Sequence, residues 1–380
     1  MERVYFDHAA TTPVDNEVLQ KMLPYFSERF GNADSPHSYG RTAMSAVDGA
    51  RDKVAELLHA KPNEIYFTSG GTEADNWAIR LGAYAAREQG KNRVVISSIE
   101  HHAVLASAER LREEGFEVVY LPANEKGIIT PQTLAKTMDE RTGLVAVMAA
   151  NNETGAVQPV KELCAIAKSY GGLFFTDGVQ YAPYEPIDVQ ALGVDMLSLS
   201  AHKFYGPKGC GVLYIRRGVK SKGLVVGGEQ ERGLRGGTTN VPAVVGLAAA
   251  LEKTRAEMPK NNDKLRALRR LFLSELSRLE EVTINGDNEA CLPSVLNLRF
   301  KGINNADFVY NMDLLGVSLS AGSACASASI KPSHVLTAMG LDERAAKESV
   351  RFSFGKDNTE EEILRAAALT RETVGRLRGC

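Results

Sequence analysis

The sequence predicts an α/β protein with a large domain over residues 14–257 on a mostly parallel seven-stranded sheet. A smaller α+β domain is formed by residues 1–13 and 258–380. Two observations carry this. Between about residues 50 and 215, short β-branched or aromatic runs alternate with longer amphipathic stretches, the pattern of βαβ units. Near Met258-Pro259-Lys260-Asn261-Asn262 the composition then turns polar. The strand runs are 65–68, 93–96, 117–120, 144–148, 173–176, 195–199 and 211–215. Helices are expected over 74–87, 103–114 and 160–170, each followed by a glycine suited to end it: Gly90, Gly115 and Gly171. An apolar helix over 244–257 should stop at Pro259, with a separate charged helix over 263–279 beyond it. Alternating segments follow at 294–300, 317–320 and 349–353. Thr359 and three glutamates then open a last helix over 360–378.

Composition bounds the function. The 380 residues are 44% hydrophobic and 24% charged, as in an ordinary globular protein. Forty-five basic against 47 acidic residues leave a net charge of -2, so no broad field attracts nucleic acid or an anionic membrane. Charge interrupts the apolar run at the N-terminus and no run of about 18 apolar residues exists. Five scattered cysteines (164, 210, 291, 325 and 380) make no disulfide framework and no metal pattern. The expectation is reduced thiols in the cytoplasm and no bound metal.

Ligands of open α/β sheets bind at the carboxyl ends of the strands. The first run ends in Ser69-Gly70-Gly71-Thr72, where a glycine turn opens a helix whose N-terminus suits a phosphate, though it also serves as a plain helix start. The next ends at Glu100-His101-His102; His101 could stack on a planar ligand or move protons, or simply be a satisfied turn residue. Asn151-Asn152-Glu153-Thr154-Gly155 is a polar loop, by itself a turn. Asp177 ends an apolar strand, where a carboxylate calls for a positive partner. Lys203 follows another apolar strand in Ser200-Ala201-His202-Lys203.

Together these features fit pyridoxal 5′-phosphate. That cofactor needs a lysine for its Schiff base, a carboxylate at its ring nitrogen and a phosphate cradle, and it benefits from a flat neighbour. Lys203, Asp177, Gly71 with Thr72, and His101 supply these. Neither nucleotide-binding glycine signature is present. In the smaller domain, Cys325 is the one reactive residue in the small-residue run 320–329, a segment unable to anchor itself by burial and suited to a travelling nucleophile; a packed turn with an inert thiol is the alternative. Arg351, in an apolar strand, could grip a carboxylate bidentately.

These stretches, with the N-terminal Tyr5-Phe6-Asp7-His8-Ala9-Ala10-Thr11-Thr12-Pro13, Ala201-His202-Lys203-Phe204-Tyr205-Gly206-Pro207 and Gly322-Ser323-Ala324-Cys325, resemble the cysteine desulfurases of the nitrogen-fixation and iron–sulfur-cluster group. The resemblance covers nearly the whole chain and implies a fold-type I pyridoxal-phosphate enzyme. It implies removal of sulfur from L-cysteine to give L-alanine, with Cys325 carrying the sulfur as a persulfide. By it, Lys203 binds the cofactor and moves the Cα proton, and Asp177 pairs with the ring nitrogen. Gln180 and Asn152 lie near the ring's phenolic oxygen, with Asn152 also near substrate, and His101 stacks on the ring and assists proton transfer. Thr72, Ser200 and His202 hold the phosphate, which Thr238 of a second subunit completes in a homodimer, and Arg351 binds the substrate carboxylate. The implied partners are sulfur acceptors such as an iron–sulfur scaffold, without direct nucleic-acid or membrane contact. Gly178, Ala326 and Thr239 depart from the commonest residues of the group. A selenocysteine or cystine C–S lyase, in which Cys325 would be dispensable, and a non-catalytic sulfur-relay scaffold are the alternatives.

Overall fold

The computed structural model describes residues 3–220, 222–322 and 332–379. Strand β1 is Val4–Tyr5; then come β2 Ile65–Thr68, β3 Arg93–Ser97, β4 Glu117–Leu121, β5 Thr142–Ala146, β6 Leu173–Asp177, β7 Met196–Ser200 and β8 Gly211–Ile215. The later strands are β9 Val282–Ile284, β10 Val295–Phe300, β11 Val317–Ser318 and β12 Ser349–Ser353. Strands β2 to β8 form one seven-stranded sheet in the order β2-β8-β7-β6-β5-β3-β4. It is parallel except where β8 pairs antiparallel with β2 and with β7.

Every strand run of the large domain becomes a strand because its alternate residues have two apolar layers to enter. Ile65, Phe67, Val95, Val145, Phe174, Leu197, Leu199 and Val212 face one buried cluster, closed by the helices Ser38–Leu58 and Val160–Ser169. Tyr66, Val94, Ile96, Leu144, Phe175, Met196 and Leu213 face the other, under the helices Gly71–Arg87 and His102–Glu113. Each such side chain, fully buried, contributes about 1.5–3 kcal/mol. The expected terminators hold: Gly90, Gly115 and Gly171 take φ of +80°, +83° and +68°.

A second core gathers Val4, Phe6, Phe272, Leu296, Leu298, Phe300, Phe308, Phe352 and Phe354 around the antiparallel sheet β12-β10-β9 and the parallel pair β1-β11. The last helix, Glu360–Arg378, starts as expected, with Thr359 and Glu362 forming a reciprocal cap.

The expected break at Pro259 is corrected. One helix, Val241–Leu276, runs through it with Pro259 inside. Its first half packs Val244, Leu247 and Leu251 into the large core, and its second half packs Leu265, Leu268 and Phe272 into the small one. Near the joint Asn262 is buried and donates to Tyr184 O at 2.7 Å. Burial at both ends offsets a proline that removes one helical hydrogen bond, so local sequence loses to tertiary packing. No helix of the described residues is long and apolar enough to cross a membrane. Pro259→Ala restores the missing backbone donor and should raise stability, by about 1–3 kcal/mol; thermal and urea midpoints at or below those of the parent would show that the proline costs the helix nothing.

Candidate active site

The carboxyl ends of β3, β5, β6 and β7 open onto a cavity of about 210 Å³. It lies beside the switch point of the sheet, where the chain passes from β3 outward to β4 and returns at β5. Ten of the residues singled out in the sequence line it. Gly71 and Thr72 come from the turn after β2, and Ser200, His202 and Lys203 from the end of β7; His101, Asn152, Asp177, Gln180 and Arg351 complete the set. Thr238 does not line it: it is exposed, in a segment that Arg235 ties to Glu73 by paired bonds of 2.8 and 3.0 Å. Cys325 lies outside the described residues.

Lys203 follows β7 on a single 3₁₀ turn, and its Nζ donates to Ala9 O at 2.5 Å and Ala10 O at 2.9 Å. Gln180 Nε2 donates to the same Ala9 carbonyl at 2.7 Å. The N-terminal segment thus holds the lysine at the cavity wall. Asp177 is the last residue of β6 and accepts the Val179 N–H at 2.8 Å. Burial raises its carboxyl to about 6, against the lowering effects of the Val179 N–H and the Lys203 charge. A cation docked against it would favour its ionised form.

His101 caps the helix His102–Glu113, its Nδ1 accepting the Ala103 N–H at 3.2 Å. Burial, followed by the nearby Lys203 charge, lowers its pKa to about 4, so the ring is neutral at neutral pH. With Nδ1 an acceptor, the proton sits on Nε2. His101 is therefore a flat donor rather than a base. His202, whose Nδ1 lies 3.1 Å from Thr11 Oγ1, is likewise lowered to about 4 by burial and then Lys203.

The residues fit pyridoxal phosphate. Gly71 opens a seventeen-residue helix, and a Cβ built there would lie 3.0 Å from Val179 Cγ2 and 3.5 Å from Ser200 Cβ. Only glycine leaves that space, beside the Ser200 hydroxyl and a helix N-terminus, for an anion. Asp177 and Lys203 share the same cavity. Arg351, 1% exposed, donates to Asp7 Oδ1 at 2.7 Å and Asn152 O at 3.0 Å, while its Nε has no partner among the described residues. A buried guanidinium with a spare donor suits a further carboxylate.

The sequence reading missed several groups. The Ala9 and Ala10 carbonyls carry no side-chain signal. Asp75 is buried on the cavity wall, accepts the Ser198 hydroxyl at 2.6 Å, and is pushed well up by burial and by Asp177. Glu100 Oε1 accepts the Ser97 hydroxyl at 2.5 Å and the Met148 N–H at 2.6 Å, while Oε2 is buried without a partner among the described residues. Their signal was present: acidic residues in otherwise apolar or turn contexts. Among the thiols, burial raises Cys164 to about 11 and Cys210 to about 12, and raises that of Cys291, so these three are poor nucleophiles at neutral pH. Among the described residues, no group of three or more His, Cys, Asp or Glu could hold a metal.

Burial raises the Glu100 carboxyl from 4.5 to about 8. Between these values the folded chain binds more protons than the unfolded one, so Glu100 makes stability fall as pH rises. Glu100→Gln should become progressively more stable relative to the parent from pH 5 to 8; a stability difference independent of pH in parallel thermal melts would contradict the assignment.

The class-V aminotransferase family matches residues 4–365. The chain is 46% identical over 365 residues to the cysteine desulfurase IscS of Clostridium botulinum (strain Hall), covering 95% of this chain and 92% of that one. It is 46% identical over 375 residues to that of Methanosarcina thermophila, covering 99% and 93%. A solved NifS-like protein, 39% identical, superposes with a TM-score of 0.92 over 100% of both chains. SspA, solved in complex with cysteine, is 34% identical with a TM-score of 0.82, covering 94% of this chain and 100% of that one. The chain belongs to the pyridoxal-phosphate-dependent class-V aminotransferase family and, within it, to the cysteine desulfurases.

Proposed function

We propose that this chain removes the sulfur of L-cysteine, giving L-alanine, and carries it on Cys325 to acceptor proteins, iron–sulfur cluster assembly among their uses. The observation that carries the reading is the convergence of Lys203, Asp177, Thr72, Ser200 and Arg351 on one cavity. The relatives named cysteine desulfurase, and the cysteine held by a 34% identical structure, support the substrate.

Thr72, Ser200 and His202 would hold the phosphate, Asp177 the ring nitrogen, His101 the ring face, and Gln180 and Asn152 the phenolic oxygen. Bound there, pyridoxal phosphate supplies an electron-withdrawing ring that acidifies the substrate Cα. Arg351 grips the substrate carboxylate, so the Cα–H points toward Lys203, whose amine takes that proton. Two backbone carbonyls already hold this amine at the wall. The Cys325 thiolate attacks the substrate sulfur; the S–S bond forms as the Cβ–S bond breaks, the electron pair passes to Cβ, protonation there gives the methyl group, and the proton held by Lys203 returns to Cα to complete alanine. His101, with its proton on Nε2, is a donor available to the reacting atoms.

A homodimer fits two features. Phe26, Phe30, Tyr39 and Val226 are exposed, at 61%, 63%, 54% and 96%, an amount of open apolar surface that association would cover. Thr238 is exposed too, where it could complete the phosphate site of a second copy. The cytoplasm is the proposed compartment, because a persulfide relay starts from a free thiol.

Lys203→Ala should lower alanine formation roughly thousandfold and lose the borohydride-trapped cofactor peptide. Cys325→Ala should lower it roughly hundredfold or more while keeping the cofactor absorbance; undiminished alanine from that variant would instead identify a lyase. Sedimentation at micromolar concentration should give twice the 41.2 kDa chain mass, and a single-chain mass would remove the role given to Thr238.

A further inference from the structure

Glu153 is buried at 1% exposure, yet the cavity does not use its side chain. Nor does the turn around it. Asn151 already fixes that turn, its Oδ1 accepting the N–H groups of Glu153 and Thr154 at 2.9 and 3.0 Å and its Nδ2 donating to Ile99 O at 3.0 Å. Asn297 of β10 donates to the Glu153 carbonyl at 3.1 Å. A carboxylate buried for no local duty is costly, and its contacts say what it is for.

Glu153 Oε2 accepts the Ser333 hydroxyl at 2.6 Å and lies 3.4 Å from where a Cβ on Gly322 would sit. Gly322 and Ser333 are the described residues that flank 323–331 most closely on the near side and, with only residue 332 intervening, on the far side. Gly322 has φ of +151°, a backbone conformation that disfavours any side chain. Ser333 also caps the helix His334–Ala338, and the His334 ring lies 2.9 Å from Glu100 O, so a pull on Ser333 is shared with that helix. On the other side Ser320 pairs with Arg351 backbone to backbone, at 2.8 and 3.3 Å.

We propose that Glu153 is a positioning residue for the loading of sulfur onto Cys325, tethering Ser333, on the far side of residues 323–331, to the turn that carries Asn152, with Gly322 passing beside the same carboxylate. This rests on the desulfurase reading above. One tight turn then presents Asn152 to the cavity and, at the next residue, sets the footing of the segment that bears the nucleophile. Orienting a nucleophile against bound substrate is where small displacements cost most in rate.

The test compares holoenzymes of the parent, Glu153→Gln, Glu153→Ala, Ser333→Ala and the double alanine variant. Sulfur on Cys325 is followed in a single turnover with radiolabelled cysteine, alongside KM and the cofactor spectrum. Glu153→Ala and Ser333→Ala should each slow loading about tenfold, with KM and spectrum unchanged, and the double variant should be no slower than Glu153→Ala. Glu153→Gln, whose amide oxygen still accepts the Ser333 hydroxyl, should stay within about threefold of the parent. Loading at the parental rate in Glu153→Ala, equal losses in KM or cofactor retention, or multiplicative effects in the double variant would each overturn the proposal. If Glu153→Ala does not fold, Ser333→Ala decides: parental loading there overturns it. A parent enzyme that places no sulfur on Cys325 would overturn the desulfurase reading itself.

Discussion

Asp75, Glu100, Asp177 and Arg351 are all buried around the end of one apolar sheet, with Lys203 among them, and much of the chain's layout follows from keeping them there. Each ion taken out of water costs several kcal/mol unless it is paired or neutralised. Arg351 is answered by Asp7, and Lys203 by two carbonyls of the same N-terminal segment. That segment is tied down in turn by β1 against β11 and by Ser353, whose hydroxyl accepts the Ala9 N–H at 2.9 Å. Residues 4–12 are thus part of the floor of the site.

The carboxylates are answered differently. Three acids near one another cannot all ionise in low dielectric, and burial raises all three. Asp177 is raised less far than Glu100: the Lys203 charge opposes its desolvation, whereas the Asp177 charge itself adds to the rise at Asp75 and Glu100. The gradient singles out the acid at the cavity wall as the one that carries charge most readily, while Asp75 and Glu100 behind it favour their neutral forms. His101 and His202 complement this: the same burial that protonates acids deprotonates imidazoles.

Legibility followed the reach of each interaction. Strands alternating into two cores were readable from residues 65–215, since side-chain period is a local property. So were the positions of Lys203, Asp177 and Thr72, because charged or glycine-rich residues at apolar strand ends are locally odd. The carbonyls of Ala9 and Ala10 were not readable, because a main-chain acceptor looks alike at every residue. Glu153 read as part of a turn, since the partner that explains it, Ser333, is 180 residues away. The helix through Pro259 misled for the opposite reason: the local signal was strong, and burial at both ends outweighed it.

That helix has a mechanical meaning as well. Its halves are embedded in different cores, one packed under the sheet that bears Lys203 and the other against the sheet that bears Arg351. Lys203 and Arg351, the groups proposed to move the proton and grip the substrate, are therefore mounted on a common beam. A helix bends most easily where a backbone bond is missing, and here that place is Pro259, near the joint between the two mountings. Flexure at that turn would change the gap between the two groups, so the width available to a substrate can be altered some distance from the atoms that touch it.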